Sequence, residues 1–171
     1  LIVGRFLPEN NYATMISEFM KSSVNKNLVI ITNVEHNKFY DELKNKTHFE
    51  NDSRIKFVGT VYDSELLKYI RENAFGYLHG HSVGGTNPSL LEALSSTKLN
   101  LLYDVGFNKE VGENAALYWN KDTGVLGKLL NSVEKLSKEK INKLGVKAKQ
   151  RIRNNYSWAY IAEQYNKVFL K

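Results

Sequence analysis

Cysteine is absent from the 171 residues. Its absence excludes a disulfide scaffold and a thiolate metal site, and it is compatible with a reducing compartment. Long apolar runs are absent too, since no stretch approaches the roughly 20 residues that a membrane-spanning helix needs. The opening residues, "LIVGRFLPEN", have neither the basic region nor the apolar region of a signal peptide. They contain no initiator Met and start within a strand-like run, so the chain is expected to be a fragment of a longer protein. Internal repeats, low-complexity segments and linkers are also missing. No G-x-G-x-x-G follows the first apolar run, which disfavours a dinucleotide-dependent dehydrogenase.

The composition is that of a soluble globular protein, 42% hydrophobic and 25% charged, and the length fits one domain with a sizeable core. A net charge of +6 favours an anionic partner such as a nucleotide, a phospholipid surface or a nucleic acid. Apolar runs of four to six residues alternate with amphipathic stretches. The runs "LIVG", "NLVIIT", "IKFVG", "FGYLHG", "LNLLYD" and "AALYW" read as strands, the last entered through an irregular turn. Between them, helices are predicted over residues 11–23 and 36–47, over "DSELLKYIREN" with Asp63 or Ser64 as cap, and over "NPSLLEALSS". Unbroken Val/Ile/Leu runs suit strands buried on both faces, and strand–helix alternation predicts an α/β, Rossmann-like, doubly wound parallel sheet of about six strands. From Asp122 onward the pattern is helical. One basic helix carries Ile141, Leu144, Ala148 and Ile152 on one face, and the last helix carries Trp158, Ile161, Tyr165 and Phe169.

The stretch from His81 to Leu94, "HSVGGTNPSLLEAL", holds the candidate site. Asn87 suits an N-cap and Pro88 the first helical position. Gly84 and Gly85 lie just ahead, where backbone can approach a ligand closely. Free N–H groups and a positive dipole end make such a helix start an anion site, and it follows a strand end, where doubly wound sheets bind ligands. A helical wheel puts Leu90, Leu91 and Leu94 on one face and Ser89, Glu92 and Ser96 on the other. Glu92 can then accept hydrogen bonds from two neighbouring hydroxyls of a sugar or ribose, or be a solvated residue near a favourable dipole end.

These stretches resemble the C-terminal, donor-binding half of family-4 retaining glycosyltransferases of the GT-B fold. "LIVGRFLPENN" is similar to that family's "VGRL-x-PEK-G", and "RIKFVGTVYDSELLKYIRENAFGYLHGHS" to its "I-x-F-x-G-x(n)-L-x-x-x-Y-x-x-A" segment. "GGTNPSLLEAL" followed by "SSTKLNLLYDVGFNKEV" resembles "E-G-F-G-x-x-x-LEAM-x-x-G-x-PV", and "YSWAYIAEQYNKVF" the closing "F-S-W-x-x-x-A-x-x-Y-x-x-x-Y" helix. The variant at His81–Leu94 looks most like bacterial rhamnosyltransferase-type members. The resemblance spans essentially the whole chain and implies one nucleotide-sugar-binding domain, residues 1–171, with an acceptor-binding N-terminal domain of the same protein outside it.

Carried over by position, the resemblance assigns Arg5 to the donor diphosphate and Glu92 to the ribose. It assigns Gly85 and Thr86, with Asn87 and Ser89 at the helix start, to phosphates or donor sugar. The stretch Gly59–Leu66, including Tyr62, would line the base pocket. Two positions depart from the pattern. The family's first motif Glu falls on Gly84, which puts handling of the transferred sugar in question, and its Lys after "PE" falls on Asn10, removing a charge from the diphosphate site. His81 could share that load, as could His79 or Lys109.

The implied reaction is transfer of a hexose or deoxyhexose, with rhamnose one candidate, from a nucleoside diphosphate to a glycan or lipid-linked acceptor in bacterial surface polysaccharide synthesis. No cofactor or metal is expected, in keeping with the absence of D-x-D, and no catalytic residue is assigned within this domain. The protein's work would be positioning and stabilisation of the departing diphosphate. Location in the cytoplasm is expected, with a possible peripheral contact between the basic run "KLSKEKINKLGVKAKQRIR" and an anionic leaflet; nucleic acid is not an expected partner. The alternative is a non-catalytic nucleotide-sugar-binding module, which Gly84 favours. The spacing of Trp158, Tyr160, Tyr165 and Phe169 predicts core packing. In relatives, however, this helix crosses to the N-terminal domain, so part of its face is expected to be exposed.

Overall fold

The structure, a computed structural model, describes residues 1–34 and 37–170. His36, the first residue of one predicted helix, and Lys171 lie outside the described residues. Six strands are present: β1 (Ile2–Val3), β2 (Leu28–Ile31), β3 (Ile55–Phe57), β4 (Tyr77–His79), β5 (Asn100–Tyr103) and β6 (Leu117–Trp119). Between them lie α1 (Tyr12–Lys21), α2 (Lys38–Thr47), α3 (Ser64–Asn73), α4 (Pro88–Ser96) and α5 (Gly106–Gly112). The helices α6 (Val125–Val133), α7 (Lys138–Asn155) and α8 (Trp158–Phe169) close the chain.

All ladders are parallel. Ile2 pairs with Ile30 and Ile30 with Phe57 in one three-stranded set; Leu78 pairs with Leu101 and Leu101 with Leu117 in the other. The sets meet at β1 and β4, where the Leu1 nitrogen donates to the Gly76 carbonyl at 2.9 Å and the Leu78 N–H to the Leu1 carbonyl at 2.8 Å. Strand order across this seam is 3-2-1-4-5-6, with the direction of winding reversing between β1 and β4.

Alternation along each strand serves two cores. Ile2, Leu28, Ile30, Leu78 and Leu101 pack with Tyr12, Met15, Ile16 and Leu126 of α1 and α6. Val3, Ile31 and Tyr77 pack on the opposite face with Ala93, Leu67 and Ile70 of α4 and α3. Caps fall where short polar side chains precede apolar periodicity: Asp63 accepts from the Glu65 and Leu66 N–H groups, and Asn87 from the Ser89 N–H.

Three expectations need correction. The turn before β6 contains α5. Glycine at both ends makes this segment read as a turn, but buried Val111 and the Asn108 amide, which donates to the carbonyls of His81 and Tyr103, hold it helical. Ser96 is buried rather than outward, because α4 is covered by α3 and α7 as well as by the sheet. The face of α8 is not core: Trp158, Tyr165 and Phe169 are 90%, 60% and 76% exposed, and α8 has no buried residue. Helical spacing marks an apolar stripe correctly but does not supply its partner, and among the described residues only α7 packs substantially on α8.

Gly80 is a close-approach position. A Cβ there would collide with the Asn10 carbonyl oxygen and lie 2.8 Å from Cε of Met15. The turn at Pro8–Asn10 is thus pressed onto the end of β4, and the Asn11 amide bonds the Gly80 carbonyl at 2.6 Å. Gly80→Ala should therefore destabilise the fold by about 1–3 kcal/mol through overpacking. A urea midpoint unchanged from wild type would refute that reading.

Candidate functional site

A cleft of about 600 Å³ opens at the carboxyl ends of β1, β2 and β3. Its base follows from strand ends: Val3–Arg5 after β1, Ile31–Asn33 after β2 and Thr60–Tyr62 after β3. Its far wall is helical, with Leu67 and Arg71 from α3 and Ser89 and Glu92 from α4. The cleft lies beside the point where the strand order reverses, the position at which open α/β sheets bind ligands. A second cavity, about 390 Å³, sits at the amino ends of the strands and is lined largely by apolar groups such as Leu28, Leu99 and Val133. It lacks the converging polar side chains that orient a ligand.

The structure brings four of the sequence candidates together on the cleft: Arg5, Tyr62, Ser89 and Glu92. Arg5 and Tyr62 are exposed, Tyr62 almost fully. Ser89 is committed inward, its hydroxyl 2.9 Å from the Tyr77 hydroxyl and donating to the Val3 carbonyl at 3.1 Å. Gly84, Gly85 and Thr86 are exposed and lie ahead of α4 without lining the cleft. Their N–H groups have no partner among the described residues. Asn87 is the cap of α4. Asn10 is buried, and its amide donates to the Arg5 carbonyl at 2.7 Å. It shapes the backbone beneath Arg5 and does not line the cleft.

Glu92 points off the core face but is not without a partner. Its Oε2 lies 2.6 Å from Nη2 of Arg71, whose side chain is 5% exposed against 56% for Glu92. Sequence reasoning missed Arg71. The signal was its register: Arg71 follows Leu67 by four residues and Ile70 by one, so it falls on the sheet-facing stripe of α3.

His79 and His81 form a stacked pair, with ring centroids 4.3 Å apart and planes 11° from parallel. Burial, then the neighbouring His81, pushes the His79 imidazole down to about 3. His81 is pushed down by burial and then Arg5, against an opposing effect of Glu9. His79 Nε2 and His81 Nδ1 are both buried without partners among the described residues. Both rings are therefore neutral at neutral pH, and His81 adds no cationic charge next to Arg5 there. Burial likewise pushes the Tyr77 hydroxyl up to about 12, so it enters the Ser89 and Val3 network as a neutral donor.

This arrangement is a Rossmann-like domain of the type that forms the C-terminal half of GT-B glycosyltransferases. Anabaena HepE (Alr3699), solved in complex with UDP, matches with a TM-score of 0.80 at 15% identity, over 98% of this chain and 48% of HepE. Sucrose-phosphate synthase from Thermosynechococcus elongatus matches with 0.81 at 16% identity, over 98% of this chain and 44% of the synthase. The C-terminal domain of a glycosyl transferase group 1 family protein (LpcC) from Francisella tularensis matches with 0.71 at 16% identity, over 92% of this chain and 86% of that domain. The chain thus spans about half the length of HepE. At these identities the likeness defines the fold. No protein-family model matches the chain, and neither does any curated protein.

The buried histidine gives stability a defined pH dependence. An unfolded histidine takes up a proton near pH 6.5, whereas folded His79 stays neutral down to about pH 3. Below pH 6.5 the unfolded state therefore binds more protons, so stability is complete above that value and declines as pH falls toward 3. Going from pH 7.5 to 5.5 should remove about 1.4 kcal/mol through His79. In urea unfolding at the two pH values, the His79→Leu variant should show a pH-dependent loss smaller by about that amount; an equal loss would contradict the assignment.

Proposed function

We propose that the chain is the donor-binding half of a retaining glycosyltransferase and holds a nucleoside diphosphate sugar in the cleft at the ends of β1–β3. One observation carries this reading. Arg5, a cation at the end of β1, and Glu92, a carboxylate in the second turn of α4, line the same cleft at the topological switch point. In this reading Arg5 meets the diphosphate, and the N–H groups of Gly84–Thr86 with the amino end of α4 hold phosphate or sugar. Glu92 accepts from the ribose, and the Thr60–Tyr62 strip faces the base. That HepE was solved with UDP and with UDP-glucose supports the assignment.

The acceptor-binding half would lie in another domain of the same protein, and the sugar passed on would be a hexose or deoxyhexose bound for a glycan or lipid-linked acceptor. The rhamnosyltransferase-type reading, and with it surface polysaccharide synthesis, rests on the sequence resemblance at His81–Leu94. Charge on the leaving diphosphate is assigned to Arg5 and the helix dipole, with no metal or cofactor required. Among the described residues no helix is long and apolar enough to cross a membrane. We place the protein in the cytoplasm, with α7 as the surface that would meet an anionic leaflet.

A second reading, a non-catalytic binding module, is favoured by Gly84. Its φ of 117° is a conformation that side-chain-bearing residues rarely adopt, so the backbone there is built for glycine and not for the carboxylate of the family motif. Acceptor-dependent sugar transfer by the full-length protein decides between the two.

Calorimetry with UDP-, GDP- and dTDP-sugars tests the site itself. Arg5→Ala should weaken nucleoside diphosphate binding by about tenfold or more, the value of a charge-assisted hydrogen bond, and leave nucleoside binding almost unchanged. Equal losses for nucleoside and diphosphate would remove Arg5 from the phosphate position.

A further inference from the structure

We propose that Arg71 is a positioning residue that presents Glu92 to the ribose hydroxyls of the bound nucleotide; the inference rests on the donor-site reading above. Arg71 occupies the last turn of α3, buried in the stripe that carries Leu67 and Ile70, and lines the cleft together with Glu92. Its Nη2 holds Glu92 Oε2 at 2.6 Å. No bond among the described residues engages the other carboxylate oxygen, Oε1.

As a device for stability the pair is poorly built. The Arg71 Nε is buried with no partner among the described residues, and a buried donor left unsatisfied destabilises a fold. An apolar side chain at this position would pack as well or better. The guanidinium instead acts on Glu92, the half-exposed member. A half-exposed glutamate without a partner samples several staggered rotamers, so its carboxylate has no fixed position. Tied by one oxygen to a buried guanidinium, it is held in a single pose with the second oxygen available to vicinal hydroxyls. The ordering cost that a ligand would otherwise meet is then already met in the free protein. The floor beneath is equally fixed: the Tyr77 hydroxyl, which feels both Arg71 and Glu92, bonds Ser89 and the Val3 carbonyl.

The test compares UDP with 2′,3′-dideoxy-UDP by calorimetry on the chain and its variants. Wild type is expected to prefer UDP. Arg71→Met should weaken UDP by roughly fivefold to tenfold, the worth of an immobilised rotamer-rich side chain, and leave dideoxy-UDP nearly unchanged, so the preference disappears. Its melting temperature should stay close to wild type, because Met fills the buried site without a charge. Arg71→Lys, with a shorter single-donor head, should keep part of the preference. It also serves as the variant of record if Arg71→Met does not fold, and a full wild-type preference in it would then count against the proposal. A folded Arg71→Met that melts lower yet retains the wild-type preference would make Arg71 merely structural and overturn the proposal alone. Wild type that fails to distinguish the two nucleotides would overturn the ribose reading of Glu92, and the role of Arg71 with it.

Discussion

The site depends on one seam. Strands β1 and β4 are joined by the Leu1 and Leu78 hydrogen bonds, and the chain leaves them toward opposite faces of the sheet. The cleft opens beside this reversal, on the face where α4 and α3 stand over the ends of β1–β3. Reversal alone would leave α4 loosely placed. The Val3 carbonyl, the last of β1, accepts both the Tyr77 hydroxyl at 3.0 Å and the Ser89 hydroxyl at 3.1 Å. The first turn of α4 is thereby fixed to the end of β1, so the backbone positions that carry Arg5 and Glu92 are held relative to each other.

Two arginines, Arg71 buried and Arg54 partly buried, show how a structural cation differs from a functional candidate. Arg54 bonds both oxygens of Asp52 and donates to the carbonyls of Phe19, Met20, Ser22 and Val24. It closes the carboxyl end of α1, where orphan carbonyls need donors and the dipole favours a cation. The bond to Arg54 in turn holds the Asp52 carboxyl below its ordinary range. Arg71 has no comparable set: one ion pair, to a partner half in solvent, and an idle Nε. Burial alone does not distinguish these roles. The inventory of satisfied donors does.

Much of this was legible in the sequence because it follows from local rules. Strand–helix alternation gave the parallel sheet, and Asn87 ahead of Pro88 placed the start of α4. The cleft was legible in outline, since Arg5 ends an apolar run and Glu92 lies one turn into a capped helix. What sequence could not supply was partnership. Asn10 stands where the family pattern has a lysine, and its amide serves the Arg5 backbone, a partner that the sequence does not name. Arg71 drew no reading at all from the sequence, yet it is the partner of Glu92. The stripe on α8 looked like core, yet the described residues leave it uncovered. The Arg71–Glu92 pair joins α3 to α4, and a contact between separate elements is what periodicity within one element does not encode.

Net charge is the clearest case of a true number with a misleading address. Helix α7 carries seven basic residues and one carboxylate, a net of six positive charges, which equals the excess of the whole chain. Everything outside α7 is therefore balanced. Helix α7 packs on α4 but contributes no residue to the cleft, so none of its charges lines the site. The basic excess is thus not located in the cleft's lining. Recognition of an anion there depends on a few aimed groups, namely Arg5 and the amino end of α4. The excess charge belongs to a separate surface, where it bears on solubility and on contact with anionic surroundings.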